Sequence, residues 1–312
     1  MMRAMRTRTG FIVALIVTLA ILSVAVVRMG QEKPIAEGML FFTLETRLPD
    51  HAFAGIRDRI RMGTGRGIWR LSLGSPPQQA ELMQPCRSEP WVTSTDSSTH
   101  IAFGCGTDGI LYESPTAQRL RLKIPSGERL IALSLSGNYA IFVADKVVLL
   151  RNYKIAGGQI FWTSREVLSS VPPVQSILFA PHGTAILMES SGWVYLLPAV
   201  GQEARKVIKG RAVGWMQDSQ HFLVYDERRN ELVKYAVGSE PDALETTRLE
   251  AGERPVAISP SGEYVLLIGV RPDLKRFLFE VQVFRIRKMD EWQHVRDVDA
   301  GWGVGMVHWL LK

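Results

Sequence analysis

Two cysteines among 312 residues are too few for a small domain stapled by disulfides. The chain is 46% hydrophobic and 22% charged, so it lacks the polar bias of a disordered segment. Its 27 glycines follow no triplet period, which excludes a collagen-like repeat. The histidines (His51, His100, His182, His221, His294 and His308) are scattered and show no metal-ligand spacing, so no metal site is expected. No Gly-x-Ser-x-Gly nucleophile elbow occurs. Gly104-Cys105-Gly106-Thr107-Asp108-Gly109 has dinucleotide-fingerprint spacing, but it reads as a strand-to-strand hairpin. No helix N-terminus would meet a pyrophosphate there. These absences predict no catalytic residue and no cofactor.

Charge is concentrated at one end. Arg3, Arg6, Arg8 and Arg28 lie in the first 28 residues with no acidic partner. Without them the 37 Lys+Arg and 31 Asp+Glu come close to balance, which removes nucleic acid as an expected partner. Residues 11–27 are uncharged and apolar. As a helix they would span about 25 Å, the short end of a membrane crossing. The sequence therefore predicts a cytoplasmic basic segment (1–10), a transmembrane signal-anchor helix (11–27), a polar linker (28–37) and an extracytoplasmic domain (38–312), periplasmic or extracellular. A cleaved signal peptide, cut after Ser23-Val24-Ala25, would instead leave a soluble periplasmic protein.

Beyond residue 37 no long amphipathic helix is legible. Short Val, Ile, Leu, Phe, Trp and Tyr runs alternate with Gly, Ser, Pro and Asp turns, an all-β pattern. One unit, strand–turn–strand, recurs. Its clearest copy is Val256-Ala257-Ile258-Ser259-Pro260-Ser261-Gly262-Glu263-Tyr264-Val265-Leu266-Leu267. Other copies turn at Ser98, Gly137, Gly183 and Ser219, spaced about forty residues apart, the length of one four-stranded propeller blade. These residues resemble the TolB-type and WD-like β-propeller repeat, in which an apolar strand enters Ser-Pro-Asp-Gly and leaves as another apolar strand. Ser261 stands where the repeat usually has Asp, and the Gly-His and Trp-Asp marks of true WD repeats are absent. The resemblance covers about residues 38–311. It implies fold more than function.

Met39–Leu44, Gly67–Leu73 and Ala80–Met83 read as strands two to four of a blade lacking its first strand. Val304–Leu311 could supply that strand. The expectation is six four-stranded blades closed by pairing of the two ends, or seven if residues 287–311 hide another. Arg129, Arg211 and Arg254 each precede an innermost strand and should ring the channel mouth on one face. Arg57, Arg59 and Arg61 lie in a long insertion (45–66) opening on that face, where Phe53, Ile56 and Ile60 fit one side of a short helix. Cys86 and Cys105 flank strands of a single blade and could form a disulfide or remain two free thiols. The expected function is a non-enzymatic, membrane-tethered propeller that docks a protein or peptide of the cell envelope. The alternative is a propeller enzyme or small-molecule-binding protein that uses the central channel.

Overall fold

The computed structural model describes residues 38–44, 66–74, 80–145, 147–169, 174–181, 185–198, 204–238, 243–272, 280–301 and 304–311. All belong to one of the chain's two compact units, Ala36–Lys312. The expected anchor and linker, and the arginine-rich insertion up to residue 65, lie outside the described residues. Among the described residues no helix is long and apolar enough to cross a membrane.

Every regular element described is a strand. They are β1 (Gly38–Leu44), β2 (Gly67–Ser72), β3 (Glu81–Pro85), β4 (Pro90–Thr93), β5 (His100–Cys105), β6 (Asp108–Glu113), β7 (Arg119–Lys123) and β8 (Arg129–Ser134). There follow β9 (Tyr139–Ala144), β10 (Val147–Ala156), β11 (Gln159–Trp162), β12 (Glu166–Ser169), β13 (Val174–Phe179), β14 (Ile186–Ser190), β15 (Trp193–Leu197) and β16 (Arg205–Lys209). The chain continues through β17 (Arg211–Trp215), β18 (His221–Asp226), β19 (Glu231–Ala236), β20 (Ala243–Arg248), β21 (Arg254–Ile258), β22 (Tyr264–Pro272), β23 (Glu280–Lys288), β24 (Gln293–Gly301) and β25 (Val304–Leu311).

Four separate four-stranded sheets form: β25-β1-β2-β3, β13 to β16, β17 to β20 and β21 to β24. The strands from β4 to β12 share one nine-stranded sheet. The expectation of six separate four-stranded blades is corrected accordingly. The cause is local. β10 runs on past its blade, turns at Gly157 and Gly158 (φ 56° and 73°) and lays β11 parallel to β7, pairing Gln159 with Arg121. The Arg121 N–H donates to the Gly158 carbonyl at 2.9 Å, which welds the two halves of that sheet. No seventh sheet appears among the described residues, since 287–311 are taken up by the end of β23, by β24 and by β25.

The first strands touch in the cyclic order β25, β4, β8, β13, β17, β21, and β21 returns to β25. The chain is an all-β propeller. Ring packing explains the sequence pattern. A middle strand has a neighbouring sheet on each face, so both faces are apolar and period-two alternation disappears. All of β1 is buried. Phe41 packs on Phe103 (5.7 Å between centroids) and Tyr112 (5.4 Å), whereas Phe42 meets Phe284 edge-on at 5.2 Å from the opposite side. Outermost strands have one solvated edge and stay polar, as in β20, which is almost wholly exposed.

β25 closes the ring against β1, in register from Gly38↔Leu311 to Phe42↔Val307 and, past an irregularity, again at Leu44↔Val304. The Leu311 N–H also donates to the Ser98 carbonyl at 2.9 Å. Gly38 is required there, because a Cβ would meet the Trp309 indole nitrogen at 2.3 Å.

Candidate functional site

Arg129, Arg211 and Arg254 are the first residues of β8, β17 and β21. A parallel bridge between Thr95, just past β4, and Leu133 of β8 shows that neighbouring first strands run in the same direction. The three arginines therefore share one face. Their surroundings differ, and the structure divides them.

Arg129 is exposed, yet its guanidinium donates to the Val174 carbonyl at 3.0 Å. It fastens the start of one first strand to the next. Arg211 pairs through Nε with Glu227, and each side chain is about half exposed (49% and 50%). Tyr225 lies opposite Arg211 across β17 and β18 and donates its hydroxyl to Asn230 at 2.9 Å. Burial raises the Tyr225 phenol, and Glu227 acts in the same direction; Arg254 and Arg211 oppose them. Glu189, near the end of β14, is mostly buried and accepts from Ser176 Oγ at 3.3 Å. Burial raises its carboxyl, against the pull of Arg211, the Ser176 hydroxyl and the Ala212 N–H. Arg211, Arg254, Glu189, Glu227 and Tyr225 thus form one electrostatic group, and Arg129 stands apart from it. Arg57, Arg59 and Arg61 lie outside the described residues.

Glu189 and Tyr225 were not singled out in the sequence. A signal was there: both sit at ends of second strands, which antiparallel pairing carries to the same face as the starts of first strands. Two further acids, next to Glu227 and to Arg254 in the chain, prove committed. Asp226 is buried and accepts from the backbone N–H groups of Arg228 (2.9 Å) and Arg229 (3.3 Å). Glu253 turns inward to Arg285 and Arg287 at 3.0 and 2.7 Å.

Below the mouth, hydroxyls lace the inner strands together. Thr93 Oγ1 donates to the Ile131 carbonyl, and Ser94 Oγ reaches Ile177 on β13 at 2.9 Å. His308 of β25 is pushed down to about 4 by burial, and a hydrogen bond to the backbone of Val92 works against that. Among the described residues no three of His, Cys, Asp and Glu converge as metal ligands would.

Cys86 and Cys105 are joined in a disulfide with Cα atoms 5.5 Å apart. It ties the β3–β4 connection to the end of β5 and would stabilise the fold by roughly 3 kcal/mol. The neighbouring glycine run has a packing role. A Cβ on Gly104 or Gly109 would strike the Trp91 ring at 2.7 or 2.6 Å, and Trp91 Nε1 donates to the Gly106 carbonyl at 2.9 Å.

No family model matches this chain, and no curated protein matches it in sequence. Solved structures do share its architecture. A chain of a nidogen/laminin complex is 11% identical, with a TM-score of 0.52, covering 88% of this chain and 99% of that one. The Cps50 (Swd1) β-propeller domain of Myceliophteria thermophila is 13% identical, with a TM-score of 0.45, covering 76% and 82%. A protein of Agrobacterium tumefaciens assigned to TolB is 11% identical, with a TM-score of 0.46, covering 86% and 91%. At such identities the likeness concerns the fold alone.

Proposed function

We propose that the chain is a non-enzymatic, membrane-tethered β-propeller that serves as a docking platform for a protein or peptide of the cell envelope. On this reading the ring counts six blades, the two halves of the nine-stranded sheet being one blade each. Residues 11–27 anchor it, with 1–10 in the cytoplasm, 28–37 as linker and 38–312 outside. The disulfide supports an oxidising compartment. The observation that carries the docking reading is the half-exposed Arg211–Glu227 pair beside Arg254 on a rigid ring mouth. Exposed, pre-positioned charges of both signs set register and partner choice with little loss of conformational freedom on binding.

The test is pull-down with the tagged full chain extracted from membranes. The double variant Arg211→Glu/Arg254→Glu should lose its partner while keeping the wild-type melting temperature. Undiminished capture by that variant would sink the proposal. Sedimentation with carbonate-washed membranes, or recovery of a mature chain starting near residue 26, separates anchor from cleaved signal.

One observation favours the second reading, a small-molecule site or enzyme. Glu189 is a partly buried carboxyl whose proton affinity burial raises, with Arg211 and the Ser176 hydroxyl as neighbours, the kind of group that general acid–base chemistry uses. Loss of a bound metabolite on Glu189→Gln, with peptide capture intact, would select it.

A further inference from the structure

The feature that divides the nine-stranded sheet from its neighbours also creates a concavity. The β10–β11 hairpin crosses from one half of the sheet to the edge of the other. Between β11 and the loop following β7 lies a cleft of about 320 Å³, lined by Phe161 and Trp162 of β11 and by Ile124 and Pro125 of the loop. Its floor is rigid. Trp162 donates to the Lys123 carbonyl at 2.6 Å and meets Phe142 edge-on at 4.9 Å. Phe161 is 48% exposed and has no comparable engagement.

The rim is basic. Arg119, Arg121 and Lys123 are the alternate, exposed residues of β7. Lys154 pairs with Phe161 across β10 and β11, so both emerge on the same face of the hairpin. None of these four cations is ion-paired to a described residue. Glu128, in the adjoining loop, is already held by Arg151 at 2.8 and 2.7 Å and approached by Arg165 at 3.5 Å. Asp108 faces Lys123 across β6 and β7 without closing an ion pair.

We infer that this cleft is a second docking site, separate from the mouth, for an acidic peptide segment. One large apolar side chain would enter the cleft against Phe161, and flanking carboxylates would meet Arg121, Lys123 and Lys154. The volume is at the small end of ligand pockets, suited to one side chain rather than a whole ligand. An exposed aromatic ring flanked by cations that no described residue pairs has the make-up of an interface hot spot. An anionic lipid surface would share the charge preference, and sedimentation with phosphatidylglycerol vesicles separates the two.

The test is panning of short random peptides displayed on phage against the full chain, then affinity measurement on the enriched sequences. Enriched peptides should be rich in Asp and Glu around a single aromatic or large aliphatic residue, and their binding should weaken as salt is raised. Arg121→Glu/Lys123→Glu should weaken it about tenfold or more, and Phe161→Ser similarly. Arg211→Glu/Arg254→Glu should leave it unchanged, which separates this site from the mouth. If Phe161→Ser lowers the melting temperature, the charge-reversed pair still decides. Enrichment without acidic bias, affinity indifferent to Arg121→Glu/Lys123→Glu, or no enriched peptide while that variant abolishes sedimentation with phosphatidylglycerol vesicles would each overturn the inference.

Discussion

Two arginine–glutamate groups on this propeller use the same side chains for opposite ends. At the mouth, Arg211 and Glu227 are half exposed and meet in one contact. In the β21–β24 sheet, Arg287 lies between Glu250 and Glu253, 2.7 Å from each, and Arg285 reaches the same Glu253 at 3.0 Å. There Glu253 has no exposed side-chain surface and Arg287 only 9%. Arg287 also lies over the Trp292 ring at 5.4 Å. Gly269 leaves the space Arg285 occupies, since a Cβ there would come within 2.9 Å of its Nε. An exposed pair exchanges water for a partner at nearly equal free energy, so it can be broken and remade with another molecule. A buried cluster cannot release one member without stranding the others in a poorly solvated site. Burial, rather than residue type, separates structural charge from charge available for recognition.

That contrast can be broken at its buried end first. Glu253→Ala removes the buried carboxylate shared by Arg285 and Arg287, leaving them the more exposed Glu250 and, for Arg285, Asp297, and should cost about 3 kcal/mol, read as a lower midpoint in chemical denaturation. A loss below about 1 kcal/mol would mean that water reaches the cluster and the contrast fails.

Asp96 lies between the extremes. It accepts from Ser134 Oγ (2.8 Å), the Leu135 N–H (2.7 Å) and the Ser136 N–H (3.1 Å), clamping the turn of one blade onto the next. Burial alone would raise its carboxyl, but these bonds win and hold it below the usual carboxylate range. Asp96→Ala should cost about 2–3 kcal/mol. Its folded form binds a proton less readily than the unfolded one. The Asp96 contribution is therefore complete above the unfolded value of about 3.9 and disappears as pH falls through the lower folded value. Asp96→Asn should flatten that acid limb of a stability–pH profile; an unchanged limb would assign it to other groups.

The smallest effect belongs to the mouth. Arg211→Ala should change stability by less than about 1 kcal/mol, seen as an almost unmoved denaturation midpoint. A large loss would place Arg211 with the buried cluster and remove the basis for docking there.

Much of the frame was legible in residues. The strand–turn–strand unit around Gly137, Ser219 and Gly262 marks the entry to second strands, because tight turns demand residues that tolerate positive φ; Ser219 and Gly262 adopt it at 56° and 75°. The orphan strands at each end, Met39–Leu44 and Val304–Leu311, pair with one another as their matching apolar patterns suggest. That Arg129, Arg211 and Arg254 each begin a strand was legible from the repeat. Their division was not: Arg129 is drawn to a backbone carbonyl and Arg211 to a carboxylate by neighbours distant in sequence. Glu189 was hidden for the same reason, since its burial depends on an adjacent sheet. The β11 crossover was hidden because Gly157-Gly158 announces a hairpin without saying which edge the returning strand will meet.

The sequence by itself therefore determined what depends on near neighbours along the chain: strands, turns, the repeat that stacks into a ring, and the face on which each loop emerges. Only the tertiary structure decided which charges are buried, which cysteines touch and where an apolar cleft opens. Those properties depend on solvent exclusion by residues far away in sequence, and no local pattern encodes the distance between them.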